Sequence, residues 1–250
     1  MKPTYQNNKM IRNSRRLILV LSLFFHINLY AEESVKFTSD PHYNDIGFFD
    51  IHICNWPERS NFFKILFSSE KYNQIESMNV FTPDNQLLAS LDKNKFKHLK
   101  RKNRPNKKVF MLEIDVPDSA STGWYSIEVQ AKDGRTYQAK DYVVMTRLEQ
   151  VSKLQPSGED NVFSLPVTLK WESVAGSQYY QAFVRDVWTE KLVFKSKLLD
   201  KPEIRIPKGK LKPGGDYYWV VHARDTNEHV LLGDFHMGSL SNKTFFTVAE

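Results

Sequence analysis

The stretch Leu211-Lys-Pro-Gly-Gly-Asp-Tyr217-Tyr-Trp-Val-Val-His-Ala223 decides the reading of this chain. Pro213 and the Gly214-Gly215 pair spell a turn, because proline presets one backbone angle and glycine admits the left-handed region. Side chains then alternate across a strand, so Tyr217, Trp219, Val221 and Ala223 share one apolar face. Tyr218, Val220, His222 and Arg224 share the other. A strand with one apolar and one mixed face covers a core on one side only, as antiparallel sheets do.

The same texture extends in both directions. Val167-Thr-Leu-Lys-Trp171 puts Val167, Leu169 and Trp171 on one face, and Tyr179-Tyr-Gln-Ala-Phe-Val184 reads as another strand. No stretch after residue 31 sustains an apolar helical period. The strands predicted in the first half are 48–54, 62–68, 77–83, 108–116, 123–131 and 136–146. Those in the second are 166–172, 178–186, 191–195, 203–207, 216–225 and 243–248. Short strands at even spacing with turn residues between them indicate β-sandwiches. The boundary falls near Thr146–Ser157, before the turn Gln155-Pro-Ser-Gly158.

The second half resembles a fibronectin type III domain over about residues 150–250. Trp171, Leu211, Pro213, Gly214, Tyr217, Val221 and Ala223 match that family's second-strand tryptophan and its L-x-P-G-x-x-Y corner in order and spacing. The stretch 225–241 departs from it, being longer than a compact loop. The resemblance implies a scaffold, with these residues in structural roles. The first half has a generic immunoglobulin-like texture. The expected fold is therefore all-β: two tandem antiparallel β-sandwiches after a signal peptide, immunoglobulin-like over 32–148 and fibronectin type III-like over 149–250.

Residues 1–31 carry Lys2, Lys9, Arg12, Arg15 and Arg16 with no acid, then the apolar run Leu17–Phe25, and Ala31 before Glu32-Glu33. This is the pattern of a secretory signal peptide cleaved after Ala31. The run is shorter than the roughly 20 apolar residues a spanning helix needs. No cysteine follows it at the junction, so no lipoprotein-type anchor is expected there, and the expected location is periplasmic or secreted, with membrane contact only transient, through the signal peptide. The single cysteine, Cys54, rules out an intramolecular disulfide framework.

The formal charge of +6 is concentrated. The 16-residue segment KNKFKHLKRKNRPNKK at 93–108 holds nine basic residues and no acid. Removing it and residues 1–31 takes the basic count from 35 to 21, against 29 acidic residues. The body is mildly acidic, unlike a dedicated nucleic-acid binder, so nucleic acid is disfavoured as a partner. The segment is expected to form a long hairpin loop, with Lys97, Lys100, Arg101, Lys102 and Arg104 available to an anionic glycan or lipid of the cell envelope. The competing reading is a solvated loop that keeps a strand edge from pairing.

A second candidate surface is the outer face of the two strands quoted first. Tyr179, Phe183 and Arg185 on one would lie beside Tyr218, His222 and Arg224 on the other, rings and cations together suiting a protein interface or sugar stacking. The competing reading is an internal joint where the first domain packs.

His222, His229 and His236 recur near Asp225, Glu228 and Asp234, but nothing fixes a metal geometry and no metal is assigned. Asp50, His52 and Cys54 share a strand face, yet alternate strand positions sit too far apart for a thiol to lean on an imidazole. No G-x-S-x-G, H-E-x-x-H, P-loop or G-x-G-x-x-G motif is present, so neither enzyme nor cofactor is expected. The function expected is an exported, non-enzymatic binding or adaptor protein. Alternatives are a carbohydrate-binding module and a periplasmic assembly chaperone with two immunoglobulin-like domains.

Overall fold

The structure is a computed structural model that describes residues 40–100, 102–158, 162–225 and 235–250. The expected signal peptide, Arg101 and His229 lie outside the described residues. Residues Asp40–Glu250 form one compact unit.

The protein is all-β. The first nine strands are β1 (Tyr43–Asn44), β2 (Gly47–Asn55), β3 (Phe62–Ser69), β4 (Ile75–Phe81), β5 (Leu87–Ser90), β6 (Phe96–Leu99), β7 (Lys107–Asp115), β8 (Gly123–Ala131) and β9 (Thr136–Val143). The remainder are β10 (Val162–Phe163), β11 (Thr168–Lys170), β12 (Tyr179–Asp186), β13 (Leu192–Lys195), β14 (Glu203–Arg205), β15 (Asp216–Arg224), β16 (Met237–Leu240) and β17 (Thr244–Val248). The alternation that predicted the long strands sets their inner faces. Phe49, Ile51 and Ile53 of β2 and Phe63, Ile65 and Phe67 of β3 meet Val80, Ile127 and Val129 from the sheet β5-β4-β8-β9. Trp171, Trp219, Val221 and Ala223 belong to a second cluster, built from the small sheet β11-β14 and from β12, β15 and β17.

The turn before β15 is a tyrosine corner. The Tyr217 hydroxyl accepts the Lys212 backbone N–H at 2.9 Å while its ring stays in the core. Gly214 sits at φ +66°, a conformation that favours glycine. Trp171 packs its ring against Tyr180 and Trp219, at 5.5 and 6.2 Å between centroids.

The sequence does not foretell the join between the clusters. One half of β15 pairs with β17, and its other half pairs with β16, which runs parallel to β2 with Gly238 opposite Cys54. Eleven strands thereby form one continuous sheet, reaching from β12 and β13 through β15, β16, β2, β3 and β7 to β6. Ile53 N–H donates to the His236 carbonyl at 3.0 Å, extending that parallel seam. Strands β1, β5, β6, β10 and β16 have no counterpart among the predicted strands. Each is short, and β16 is paired by a distant strand rather than marked by its own pattern.

The basic segment differs from the expected loop. Phe96–Leu99 is a strand, β6, paired antiparallel with β7, with a turn at residues 102–104 between them. The cause is Phe96, which packs against the first cluster, with the Lys108 ammonium 3.6 Å over its ring. Apolar anchoring at one alternate position suffices to hold a charged stretch in a sheet.

Candidate functional site

The outward faces of β12, β15, β16, β2 and β3 line up across the seam. Phe183 and Arg185, Val220, His222 and Arg224, Leu240, His52 and Cys54, and Lys64 and Leu66 together line an open cavity of about 320 Å³. Trp56, just past β2, and Phe235, just before β16, complete it. The cavity exists because β16 carries the outer face of one half up to the outer face of the other.

Two histidines sit at its floor. His52 lies 2.7 Å from Asp50 through Nδ1, one proton lying between ring and carboxyl. Burial, with Lys64 nearby, lowers its pKa to about 3, so the ring is neutral at ordinary pH. Burial also pushes the His222 pKa well below the usual value. His222 Nδ1 accepts from Arg224 Nε at 3.1 Å, which leaves the proton on Nε2. The Phe235 ring packs against both, tilted against His52 at 3.9 Å and edge-on to His222 at 5.7 Å between centroids. Gly238 makes this packing possible, since a Cβ there would stand 2.6 Å from His222 Nε2 and 2.8 Å from Phe235.

The charge balance of the lining is one-sided. The Arg224 guanidinium donates to His222 and, through Nη2, to Gln181 Oε1 at 3.1 Å, and its ring contact is Phe235 at 5.1 Å. Among the described residues no carboxylate forms an ion pair with it, Asp50 acts on it only at longer range, and burial lowers its pKa. Arg185 donates Nη1 to the Glu190 carbonyl at 2.7 Å, again with no carboxylate partner among the described residues. Lys64 lies 3.5 Å from Glu113 and 5.2 Å from the Trp56 ring. The ring nitrogens His222 Nε2 and Trp56 Nε1 are buried donors without a hydrogen-bond partner among the described residues, and His52 Nε2 is likewise unpartnered. Two guanidiniums with no carboxylate partner among the described residues, and unused N–H groups beside them, suit an oxyanion.

The other expected residues are placed as follows. Phe183, Arg185, His222 and Arg224 line the cavity; Tyr179 stands opposite Arg224 across β12 and β15. Tyr218 lies on the same outer face but is only 7% exposed, covered by the Lys243 ammonium at 4.9 Å, by Phe245, and by a short hydrogen bond to Glu190. Lys97, Lys100, Lys102 and Arg104 stand on and beyond β6, at the far edge of the long sheet. Sequence reasoning missed Lys64, Trp56 and Phe235, which reach the cavity only through the seam. His52 and Cys54 were noticed, but as a strand face without a partner. Cys54 is buried, which pushes its thiol up to about 12. Among the described residues no group of three His, Cys, Asp or Glu is placed to hold a metal.

Fold and site together define an all-β sandwich protein with a tyrosine corner and a cationic cavity at the seam of its long sheet. No family model matches the chain, and no curated protein matches it. Solved structures similar to it include the chicken CNTN1 FN1-FN3 domains, at 13% identity and TM-score 0.34, covering 80% of this chain and 66% of that one. Another is SGBP-B of the Bacteroides ovatus mixed-linkage glucan utilization locus, in complex with a mixed-linkage heptasaccharide, at 12% identity and TM-score 0.24, covering 78% and 42%. The chain thus spans less than two thirds of either.

Proposed function

We propose that this is an exported, non-enzymatic binding protein of the periplasm or cell surface, and that it receives an anionic group of its partner in the seam cavity. The observation that carries the reading is Arg224, a partly buried guanidinium whose partners among the described residues are neutral, with no carboxylate in ion-pair contact. A cation withdrawn from water without a counter-ion is costly, and a bound oxyanion offsets that cost. Arg185 and Lys64 raise the local potential further, and two rings, Trp56 and Phe183, give the partner apolar surface.

The reading is non-enzymatic because the groups that resemble catalytic ones are disabled. A buried thiol with a raised pKa is a poor nucleophile, and histidines held neutral down to low pH transfer no protons near neutrality. Among the described residues no helix is long and apolar enough to cross a membrane.

The test is calorimetric titration of the full chain with an oligogalacturonate, with phosphatidylglycerol vesicles and with an acidic peptide. The titrations are repeated for Arg224→Gln, Arg185→Gln, and the hairpin variant with Lys100, Lys102 and Arg104 changed to Gln. Binding by one probe, weakened tenfold or more by Arg224→Gln and by Arg185→Gln but less than threefold by the hairpin variant, supports the seam. Loss confined to the hairpin variant, or no binding by any probe, overturns it.

A further inference from the structure

Trp188 is the most exposed large apolar side chain among the described residues, at 80%. Exposed apolar side chains are ordinary, but a tryptophan that is both this exposed and held in place is not. It sits at the tip of the hairpin between β12 and β13. There the Asp186 carboxylate accepts the backbone N–H and the hydroxyl of Thr189, both at 2.8 Å, and the Asp186 carbonyl accepts the Glu190 N–H at 3.0 Å. The indole N–H donates to Asp216 Oδ2 at 3.1 Å, and Val187 N–H donates to the Asp216 carbonyl at 3.0 Å. The ring is therefore fixed in an exposed position rather than left to wander.

Beside it lies an open cavity of about 280 Å³, lined by Val187, Trp188, Asp216, Phe245 and Thr247 among others. Asp216 is held from the other side as well, its Oδ1 accepting the Thr247 hydroxyl at 2.7 Å. No lysine or arginine lines this cavity, in contrast to the seam. Four rings, Trp188, Tyr217, Phe245 and Phe246, and a preoriented carboxylate without a cation in the lining suit a ligand that is itself neutral, has a flat apolar face, and carries hydroxyl donors at its rim. A pyranose ring meets that description: its C–H face lies against an indole, and its hydroxyls donate to the remaining lone pairs of Asp216. Fixing the ring in advance removes part of the entropic cost of binding.

We propose that the Trp188–Asp216–Phe245 cavity is a binding site for a neutral saccharide, separate from the anionic site at the seam. Trp188 supplies the stacking face, Phe245 the apolar wall, and Asp216 the hydrogen-bond acceptor. A cavity at the small end of ligand pockets holds a single sugar ring of a longer chain. The sequence neighbours Thr189, Glu190 and Lys191 are polar and exposed, which favours a sugar over the packed apolar surround of a protein anchor.

The experiment titrates the full chain with cellopentaose, chitopentaose, xylopentaose and mannopentaose, following tryptophan fluorescence and saturation-transfer NMR of the sugar. At least one saturates in the millimolar range or below. Trp188→Ala weakens it tenfold or more with an unchanged melting temperature, because the lost ring is exposed, while Trp188→Phe retains binding within about threefold of wild type, since stacking remains. Arg224→Gln binds the sugar as wild type does, so failure of the seam site leaves this result standing. No binding by any of the four, or equal binding by Trp188→Ala, overturns the proposal. So does a surface on which Trp188 is needed to capture a protein and no sugar.

Discussion

His52 is the residue where environment most changes chemistry. Its folded pKa of about 3 lies below the ordinary 6.5 because burial disfavours the charged ring and Lys64 and Arg224 repel it, while Asp141 and Asp225 pull the other way. Between those two values the unfolded chain binds a proton that the folded one does not, so stability falls as pH drops from about 6.5 toward 3. His222 shifts in the same direction and adds to the loss. Asp225, whose carboxyl burial raises, acts oppositely and offsets part of it. The slope from one such histidine is about 1.4 kcal/mol per pH unit. Urea midpoints taken at pH 7 and pH 4.5 should show the drop, and His52→Asn should flatten it; an unchanged slope in that variant would place the acid sensitivity elsewhere.

Among the elements, β16 is decisive. It is four residues long, yet it pairs with β15 on one edge and with β2 on the other. Gly238 is the hinge of that arrangement, since any side chain there meets His222 and Phe235. Gly238→Ala is expected to displace both rings, destabilise the protein by about 1–3 kcal/mol as overpacking does, and weaken the anion site. NMR shifts of the histidine rings and the thermal midpoint report the two effects, and a variant with wild-type shifts would mean the rings have more room than their packing shows. The long strands were legible because alternation is a local signal. The short β16 was not, because nothing within Met237–Leu240 records which distant edge it joins. The basic run was misjudged for a related reason: one anchoring phenylalanine, with the Lys108 ammonium over its ring, holds a strongly charged stretch in the sheet.

For the whole molecule, the continuous sheet makes a statement about cooperativity. Two core clusters joined by one eleven-stranded sheet across a parallel seam are expected to melt together, because opening the seam exposes His52, His222 and the Phe235 ring packed on them to water. Scanning calorimetry of the full chain should give one transition with matching calorimetric and van't Hoff enthalpies. Two transitions would mean that the halves, expected from sequence as separate domains over 32–148 and 149–250, are energetically independent despite the seam. Charge follows a similar division of scale. The basic residues of β6 stand at the outermost edge of the sheet, where lysine on a short strand also discourages pairing with other chains. The cavity cations stand near its middle, where solvent screening is weaker.

Of the candidate site, Phe183, Arg185, His222 and Arg224 could be read as one outer face, because neighbouring strands of a recognisable sandwich share their alternation. Trp188 is plain in the sequence but silent there, since a tryptophan at a turn gives no sign of whether it is buried. What the amino-acid order determined by itself was everything local: strand periodicity, the tyrosine corner, the inward and outward faces, and the concentration of charge. What tertiary structure alone decided was adjacency: the parallel seam, the cavity it creates, the neutral hydrogen-bond partners of Arg224 and the fixed exposure of Trp188. Alternation is written by sterics between near neighbours, whereas a pairing between residues 54 and 238 depends on how two buried surfaces fit, which no short window of sequence contains.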